Sequence, residues 1–284
     1  GEGHMKVLMD MWLGELRNTY DMVVLYGQRQ RYEHFGFTLG GVKFKYFVGE
    51  ANVRHALRHV NDTGVSFCPL FEVEGAASFA HSINISRLAY IERNAQQLPL
   101  IFNTLHQNAL GVLDKGKLIG YLIVNEAGDE ISEFAMKNTD DISRTIKGYM
   151  GYSRAERISI LTPEYEISLN MILGSMAEDY VIETSDMYHI LDFANVLKAY
   201  LTLKFKTTGI VQGEFSAVMD GQPVTARVDA SGVTVERSAK PDAIVLDKQQ
   251  AQALLLTQHS RYMAVDAPVG WFPLPLFWYK IDKF

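Results

Sequence analysis

Apolar residues recur along the chain at helical spacing in some segments and in short continuous or alternating runs in others. In residues 5–17, MKVLMDMWLGELR, they stand three or four positions apart, which predicts a helix. The run 22–26, MVVLY, predicts a short buried strand. Residues 28–35 predict a short helix that Gly36 ends as a C-terminal cap, and residues 42–48 predict a strand.

The middle of the chain has the same mixture of periods. The turn at residues 126–129, Glu-Ala-Gly-Asp, separates two apolar runs and predicts a hairpin. The predicted elements of this region are helix 51–60, helix 76–95, strand 118–124, strand 131–134, helix 140–150, strand 157–161 and helix 166–178. This order of elements predicts a second α+β unit.

The pattern changes near residue 184, where a helix precedes several strands. Asp247 stands where an N-cap is expected, ahead of a last predicted helix over 248–257. The segment 271–278, WFPLPLFW, is strongly apolar, and its two prolines forbid a helix, so we expect a buried extended tail. The other predicted elements are helix 192–204 and strands 209–219, 224–229, 232–237 and 243–246. Together they indicate a separate α+β domain.

Length and composition restrict the classes of protein. A chain of 284 residues suits about two domains at roughly 150 residues each. The net charge of −6 is not that of a nucleic-acid binder, so no nucleic-acid partner is expected. No apolar run approaches the roughly 18 residues of a membrane span, and no membrane partner is expected. The one cysteine, Cys68, excludes a disulfide within the chain and fits a reducing cytoplasm.

The first candidate site is the segment Gly1-Glu2-Gly3-His4 ahead of the predicted helix. Glycines at a helix start let backbone N–H groups approach a phosphate, and the helix dipole favours the anion. An ordinary loop ahead of a helix has the same composition. The residues alone leave both interpretations open.

The second candidate is Tyr32, in a segment where a predicted strand leads into a short helix and then an aromatic–Gly–aromatic sequence. A tyrosine hydroxyl beside a reaction centre can donate a proton to a leaving thiolate. The alternative is that Tyr32 and Phe35 are packing residues. Arg29 and Arg31 could contact phosphate, or could be solvated helix charges.

The histidines do not predict a metal site. They show no metal-ligand spacing with a carboxylate cluster, so we interpret them as surface or packing residues. These histidines are His55, His59, His81, His106, His189 and His259.

Two segments resemble motifs of the GNAT superfamily of acetyl-CoA-dependent N-acetyltransferases. Gly3 and its helix resemble the coenzyme motif Arg/Gln-x-x-Gly-x-Gly/Ala, although Met5 stands at its last position. The stretch 24–37 is similar to a later motif in which a strand precedes Tyr-x-x-Phe-Gly-Phe. The resemblance implies that Tyr32 is the general acid that protonates the coenzyme A sulfur. It also implies that Gly1, Gly3, His4 and Arg29 bind the coenzyme.

The rest of the chain resembles the Eis-like (enhanced intracellular survival) group of this superfamily. Residues 120–123 and 131–134 match a strand pair of its second, degenerate GNAT-like unit. Residues 187–192 and the meander 220–236 match its sterol-carrier-like domain. The resemblance implies an α+β fold of three parts: residues 1–70 from a catalytic GNAT domain, 71–182 from a second GNAT-like domain, and 183–284 from a sterol-carrier-like domain.

The resemblance also implies a reaction. An acetyl group would pass from acetyl-CoA, the co-substrate, to a primary amine of aminoglycoside or lysine type by direct attack, without a metal. The terminal carboxylate of Phe284 would be the general base, as in such enzymes. A homo-oligomer of hexameric order is implied. The alternatives are a lipid or hydrophobic-ligand binding protein, through the sterol-carrier-like domain, and a structural partner subunit.

The sequence departs from the family at its beginning. A GNAT fold has several strands and helices before the coenzyme motif, whereas residue 1 already lies at that motif. We therefore expect about the first third of the catalytic domain to be missing from this chain. We expect this chain to be inactive by itself, and the intact protein to be an enzyme.

Overall fold

The computed structural model describes residues 3–283, and within them the predicted α+β class is confirmed. The helices are α1 (His4–Leu16), α2 (Arg29–Glu33), α3 (Glu50–His55), α4 (Ala76–Ser86), α5 (Leu98–Phe102), α6 (Ile142–Ser153), α7 (Ile167–Met176), α8 (Phe193–Lys206) and α9 (Lys248–Leu256). None of these helices is long and apolar enough to cross a membrane.

The strands form three sheets. They are β1 (Met22–Leu25), β2 (Thr38–Gly40), β3 (Lys43–Gly49), β4 (Val65–Pro69), β5 (Gln107–Asp114), β6 (Lys117–Asn125), β7 (Glu130–Met136), β8 (Arg157–Pro163), β9 (Asp179–Glu183), β10 (Asp186–Ile190), β11 (Gly213–Met219), β12 (Gln222–Asp229), β13 (Gly232–Glu236) and β14 (Ile244–Leu246). The sheet orders are β1-β10-β2, β4-β5-β6-β7-β8-β3-β9 and β13-β12-β11-β14.

The chain divides into two compact units. The first unit comprises residues 3–42 and Thr184–Phe277, and the second unit comprises Lys43–Glu183 and residues 278–283. This grouping follows the packing of the chain and differs from the three predicted parts, because β3 pairs with β8 and β9 of the second unit. The division into 1–70, 71–182 and 183–284 stays a prediction.

The second unit is built on the seven-stranded sheet. Its neighbouring strands are antiparallel except β7 and β8, which pair in parallel at Glu130↔Ser159 and Ile131↔Ile160. Helices α6 and α7 place Ile146 and Leu173 in a core on this sheet, and both are fully buried. Burying each such side chain contributes about 1.5–3 kcal/mol of stability. This hydrophobic contribution holds the helices on the sheet.

The first unit holds the other two sheets. Asp247 caps α9 as predicted: its carboxylate accepts the Gln250 amide at 2.8 Å, and the Gln250 side chain accepts the Asp247 amide. The predicted buried tail is also confirmed, since the Trp271 side chain is fully buried. Its indole donates to the carbonyl of Val211 at 2.9 Å. The Lys204 ammonium donates to carbonyls of the same tail.

Some elements are missing from the sequence prediction. The pattern predicted no strand for β2, β4, β5, β9 or β10, and helix 76–95 ends at Ser86. The helix ends because the backbone of Arg87 is extended. Strand β9 has all of its residues exposed, so its sequence carries no alternation of burial.

Candidate functional site

Tyr32 lies on helix α2, directly after strand β1, in the first unit. Its carbonyl accepts hydrogen bonds from the amides of Phe35 at 2.9 Å and Phe37 at 3.2 Å. The Gly36 amide donates to the carbonyl of Glu33 at 3.0 Å. The bonds from Phe37 and Gly36 form a Schellman turn, and Gly36 has the left-handed φ of +78° that this turn favours. The predicted cap at Gly36 is therefore confirmed.

The Tyr32 ring packs across this turn. Its centroid lies 6.1 Å from that of Phe37, edge to face, and Phe37 is buried. This is the apolar contact that accompanies a Schellman turn. A side chain at Gly27 would overlap the Tyr32 ring, so glycine is needed there for the ring to lie against the backbone. The motif thus has a structural role in fixing the position of Tyr32.

Two buried side chains hold the turn from behind. His189 on β10 hydrogen-bonds through Nδ1 to the carbonyl of Phe35 at 3.0 Å. The Gln252 amide on α9 donates to the carbonyl of Gly36 at 2.8 Å and to the Thr38 hydroxyl at 2.9 Å. From the sequence, His189 was interpreted as a surface or packing residue, and no role was predicted for Gln252. Neither has a local signal, because each reaches the turn from far along the chain.

The support for the turn is electrically neutral. Burial, followed by repulsion from Lys248, lowers the pKa of His189 to about 4. At neutral pH the ring is therefore uncharged, and because its acceptor is a carbonyl, Nδ1 carries the donated hydrogen. Burial also lowers the pKa of Lys248.

The other predicted site residues of the first unit lie at the surface. Gly3 caps α1 in a left-handed conformation, φ 76°, and its carbonyl accepts the Lys6 amide at 3.0 Å. No described residue of α1 is buried. The Arg29 guanidinium is largely exposed and pairs with Glu33 one turn along α2. Gly1 and Phe284 lie outside the described residues.

A buried polar cluster in the second unit was not predicted. The Arg93 guanidinium makes two hydrogen bonds to Asp282, at 2.8 and 2.7 Å, and also bonds Glu133 at 2.9 Å. Arg87 and the Tyr121 hydroxyl also donate to Glu133, at 2.6 and 2.7 Å. We call these residues, together with Glu166, the Arg93 cluster: its members are Arg87, Arg93, Tyr121, Glu133, Glu166 and Asp282. It connects the end of the chain to β7 and to the segment after α4.

In the Arg93 cluster, the charges of the arginines and the carboxylates compensate one another. Glu133 is fully buried, which raises its pKa, but the two arginines outweigh burial and hold the pKa at about 2. Asp282 shares Arg93 with Glu133, so burial dominates and raises the pKa of Asp282. The distance along the chain, 189 residues between Arg93 and Asp282, explains why the pair has no sequence signal.

The fold of the chain is similar to that of GNAT-type N-acetyltransferases. A GCN5-related N-acetyltransferase from Anabaena variabilis ATCC 29413 matches with a TM-score of 0.58 and 15% identity, over 88% of this chain and 66% of that one. A GCN5-related N-acetyltransferase from Kribbella flavida matches with a TM-score of 0.54 and 16% identity, over 88% and 65%.

The similarity extends to Eis1 from Mycobacterium abscessus, with a TM-score of 0.57 and 12% identity over 94% of this chain and 73% of that one. At these identities the similarity shows the fold alone. The chain spans 66% of the length of the Anabaena structure. No family model and no curated protein matches the sequence.

Proposed function

We propose that the protein transfers an acetyl group from acetyl-CoA to a primary amine. The observation that carries the proposal is the similarity of the fold to N-acetyltransferases over 88–94% of the chain. The ordered turn that presents Tyr32, in a motif resembling that of the same superfamily, agrees with it.

The proposed reaction is direct attack. The amine nitrogen attacks the thioester carbonyl, the new C–N bond forms, and the C–S bond breaks. Tyr32 donates its phenolic proton to the departing sulfur, because free coenzyme A thiolate is a poor leaving group without a proton. The amine loses its proton to a base, which we propose is the terminal carboxylate of Phe284.

The last described turn supports the role of the chain end. The 3₁₀ turn Lys280–Asp282 buries Ile281 completely, and Asp282 is bound by Arg93 through two hydrogen bonds. These contacts fix the backbone close to the terminal residue.

The coenzyme would lie at the start of α1. We propose that Gly1, Gly3 and His4 approach its pyrophosphate and that Arg29 gives further positive charge. Gly3 has room for this, because a Cβ there would meet no described atom within 4 Å. Arg29 would have to exchange its ion pair with Glu33, which costs little at an exposed site.

The substrate, assembly and domain origin are part of the proposal. We propose amines of aminoglycoside or lysine type, a homo-oligomer of hexameric order, cytoplasmic location, and a sterol-carrier-like origin for the C-terminal part. Lipid binding as the main function has no support from the comparisons, and we do not propose it.

The test is release of free coenzyme A by the intact protein from acetyl-CoA with a panel of primary amines. We expect turnover with cationic primary amines and none with the matching tertiary amines, which have no proton to lose after attack. Adding one residue after Phe284 should abolish turnover, whereas Phe284→Leu, which keeps the terminal carboxylate in place, should retain it. Equal turnover by the extended chain would exclude the terminal base.

A further inference from the structure

A cavity of about 300 Å³ opens in the second unit beside the Arg93 cluster. Its walls come from the end of β7, the start of α6, the start of α7 and the segment after α4. Its lining includes Arg87, Leu88, Phe134, Met136, Glu166 and Leu169.

The cavity has a structural cause in the sheet. Strands β7 and β8 pair in parallel at Glu130↔Ser159 and Ile131↔Ile160, near the start of each strand. Strand β7 then continues to Met136 without a further pair to β8, and the cavity is lined by residues of β7 from Phe134 onward. The cavity therefore lies beside the end of β7 that is not paired with β8, and Leu169 of α7 contributes to its lining.

The cavity lining holds one cation and one anion, Arg87 and Glu166, and the cluster behind it has one carboxylate more than it has guanidinium groups. Arg87 bonds the buried Glu133 at 2.6 Å, and its contact with Glu166 is longer, 3.4 Å. In the Arg93 cluster, the two guanidinium groups of Arg87 and Arg93 face three carboxylates, those of Glu133, Asp282 and Glu166. Glu166 is the carboxylate of the cluster that lines the cavity. Burial and the nearby Glu133 raise its pKa, although Arg87 lowers it.

The same wall does not suit a phosphate or another anion. Helix α6 follows the 3₁₀ turn Thr139–Asp141, so two acidic residues, Asp140 and Asp141, precede its first turn. These carboxylates oppose the attraction of a helix start for anions. Arg87 is already bound by Glu133 and has only one weaker contact to exchange.

We propose that this cavity binds a small organic ammonium ion, with Glu166 as its counterion and Leu88, Phe134 and Leu169 around its apolar part. A volume of about 300 Å³ suits a ligand of about ten non-hydrogen atoms, at the small end of ligand pockets. The proposal concerns the second unit only and does not depend on acetyl transfer.

The test is calorimetric titration of the full chain, without acetyl-CoA, with three probes of similar size. These are phenethylammonium, the neutral phenethyl alcohol and the anionic 3-phenylpropanoate. We expect the ammonium to bind at least tenfold more tightly than the alcohol and the carboxylate not to bind detectably. Failure of the ammonium to bind, or preference for the carboxylate, would overturn the proposal.

Three variants test whether the ammonium ion binds in this cavity. Glu166→Gln should weaken the ammonium at least tenfold and leave the alcohol unchanged. Ser168→Phe, which places a ring at the exposed rim of the cavity, should weaken both. Glu126→Gln removes a carboxylate of the same unit that is 70% exposed and should change neither. Undiminished ammonium binding by both Glu166→Gln and Ser168→Phe would place the ion elsewhere and overturn the assignment.

Discussion

Two clusters of buried polar groups, one in each unit, are held in different ways. The first unit holds the Tyr32 turn with the uncharged side chains of His189 and Gln252. The second unit holds the chain end with ions, through Arg93, Glu133 and Asp282. Burying a neutral donor costs its desolvation alone, whereas a buried ion is tolerated only while its partners remain charged.

Both clusters are weakened when a side chain gains a proton, but at different pH. The neutral support in the first unit fails when His189 gains a proton. The charged cluster in the second unit fails when a carboxylate gains one or when an arginine is removed. The comparison therefore predicts separate pH ranges and separate mutational effects for the two units.

The largest expected loss of stability comes from Arg93→Met. The change leaves Asp282 buried without its guanidinium partner and removes one of the two arginines that face Glu133. Breaking a buried pair in this way costs about 3–5 kcal/mol. We expect a lower urea midpoint for the second unit, measured by hydrogen exchange of β7.

The control for that experiment is Arg227→Met. Arg227 also pairs with a carboxylate, that of Glu214, but at an exposed site of the first unit, where a pair contributes little. If Arg93→Met were as stable as Arg227→Met, the Arg93 cluster would have no structural importance.

The second prediction concerns acid. The pKa of Glu133 is lowered from 4.5 to about 2, so its stabilising contribution is present above about pH 4.5 and is lost as the pH falls toward 2. The loss amounts to about 3 kcal/mol. Glu133→Gln should reduce the pH dependence of the urea midpoint in that range. If the pH dependence of the urea midpoint were the same in Glu133→Gln, Glu133 would not be ionised in the folded protein.

The third prediction concerns the first unit at higher pH. The pKa of His189 is lowered from 6.5 to about 4, so the unfolded chain binds the proton first. Stability should fall as the pH decreases from 6.5 to 4, by about 3 kcal/mol. His189→Asn keeps a donor for the Phe35 carbonyl. It should remove the dependence of the urea midpoint on pH between 6.5 and 4.

The matched control for His189 is His106→Asn, because the His106 side chain is 84% exposed. The urea midpoint of His106→Asn should depend on pH between 6.5 and 4 as that of the parent protein does. If this pH dependence persisted in His189→Asn and disappeared in His106→Asn, the titrating histidine would be His106 and not His189.

The fourth and smallest effect concerns α9, the helix that carries Gln252. Asp247→Ala removes the capping box and should cost about 1 kcal/mol, seen as a lower thermal midpoint of the first unit. Asp242→Ala, at an exposed position shortly before it, should have no such effect. Equal midpoints would show that the cap is not needed in this context.

Local features of the fold could be predicted from the sequence. The cap at Gly36, the N-cap at Asp247 and the buried tail at Trp271 each follow from residues that are neighbours in the chain. Strand β3 was also predicted, but its place between β8 and β9 was not, because pairing across more than 100 residues leaves no periodic signal in one sequence.

The candidate site shows the same limit. Tyr32 was found through a motif whose spacing is that of a Schellman turn. His189 and Gln252, which hold the turn, are separated from it by 154 and 216 residues. The Arg93 cluster is formed in the same way, by residues distant in the chain. The chemical roles of Tyr32 and Phe284, and of the residues near Gly3, stay predictions.

The most direct test of the central claim is the turnover number of Tyr32→Phe in the intact protein with acetyl-CoA and a reactive primary amine. Tyr26→Phe, which loses the same hydroxyl from a side chain that is 85% exposed, is the matched control. If Tyr32 is the acid, its variant should lose about 10²–10⁴-fold in kcat, with little change in KM for acetyl-CoA, while Tyr26→Phe keeps parental activity. Parental turnover by Tyr32→Phe would contradict the account.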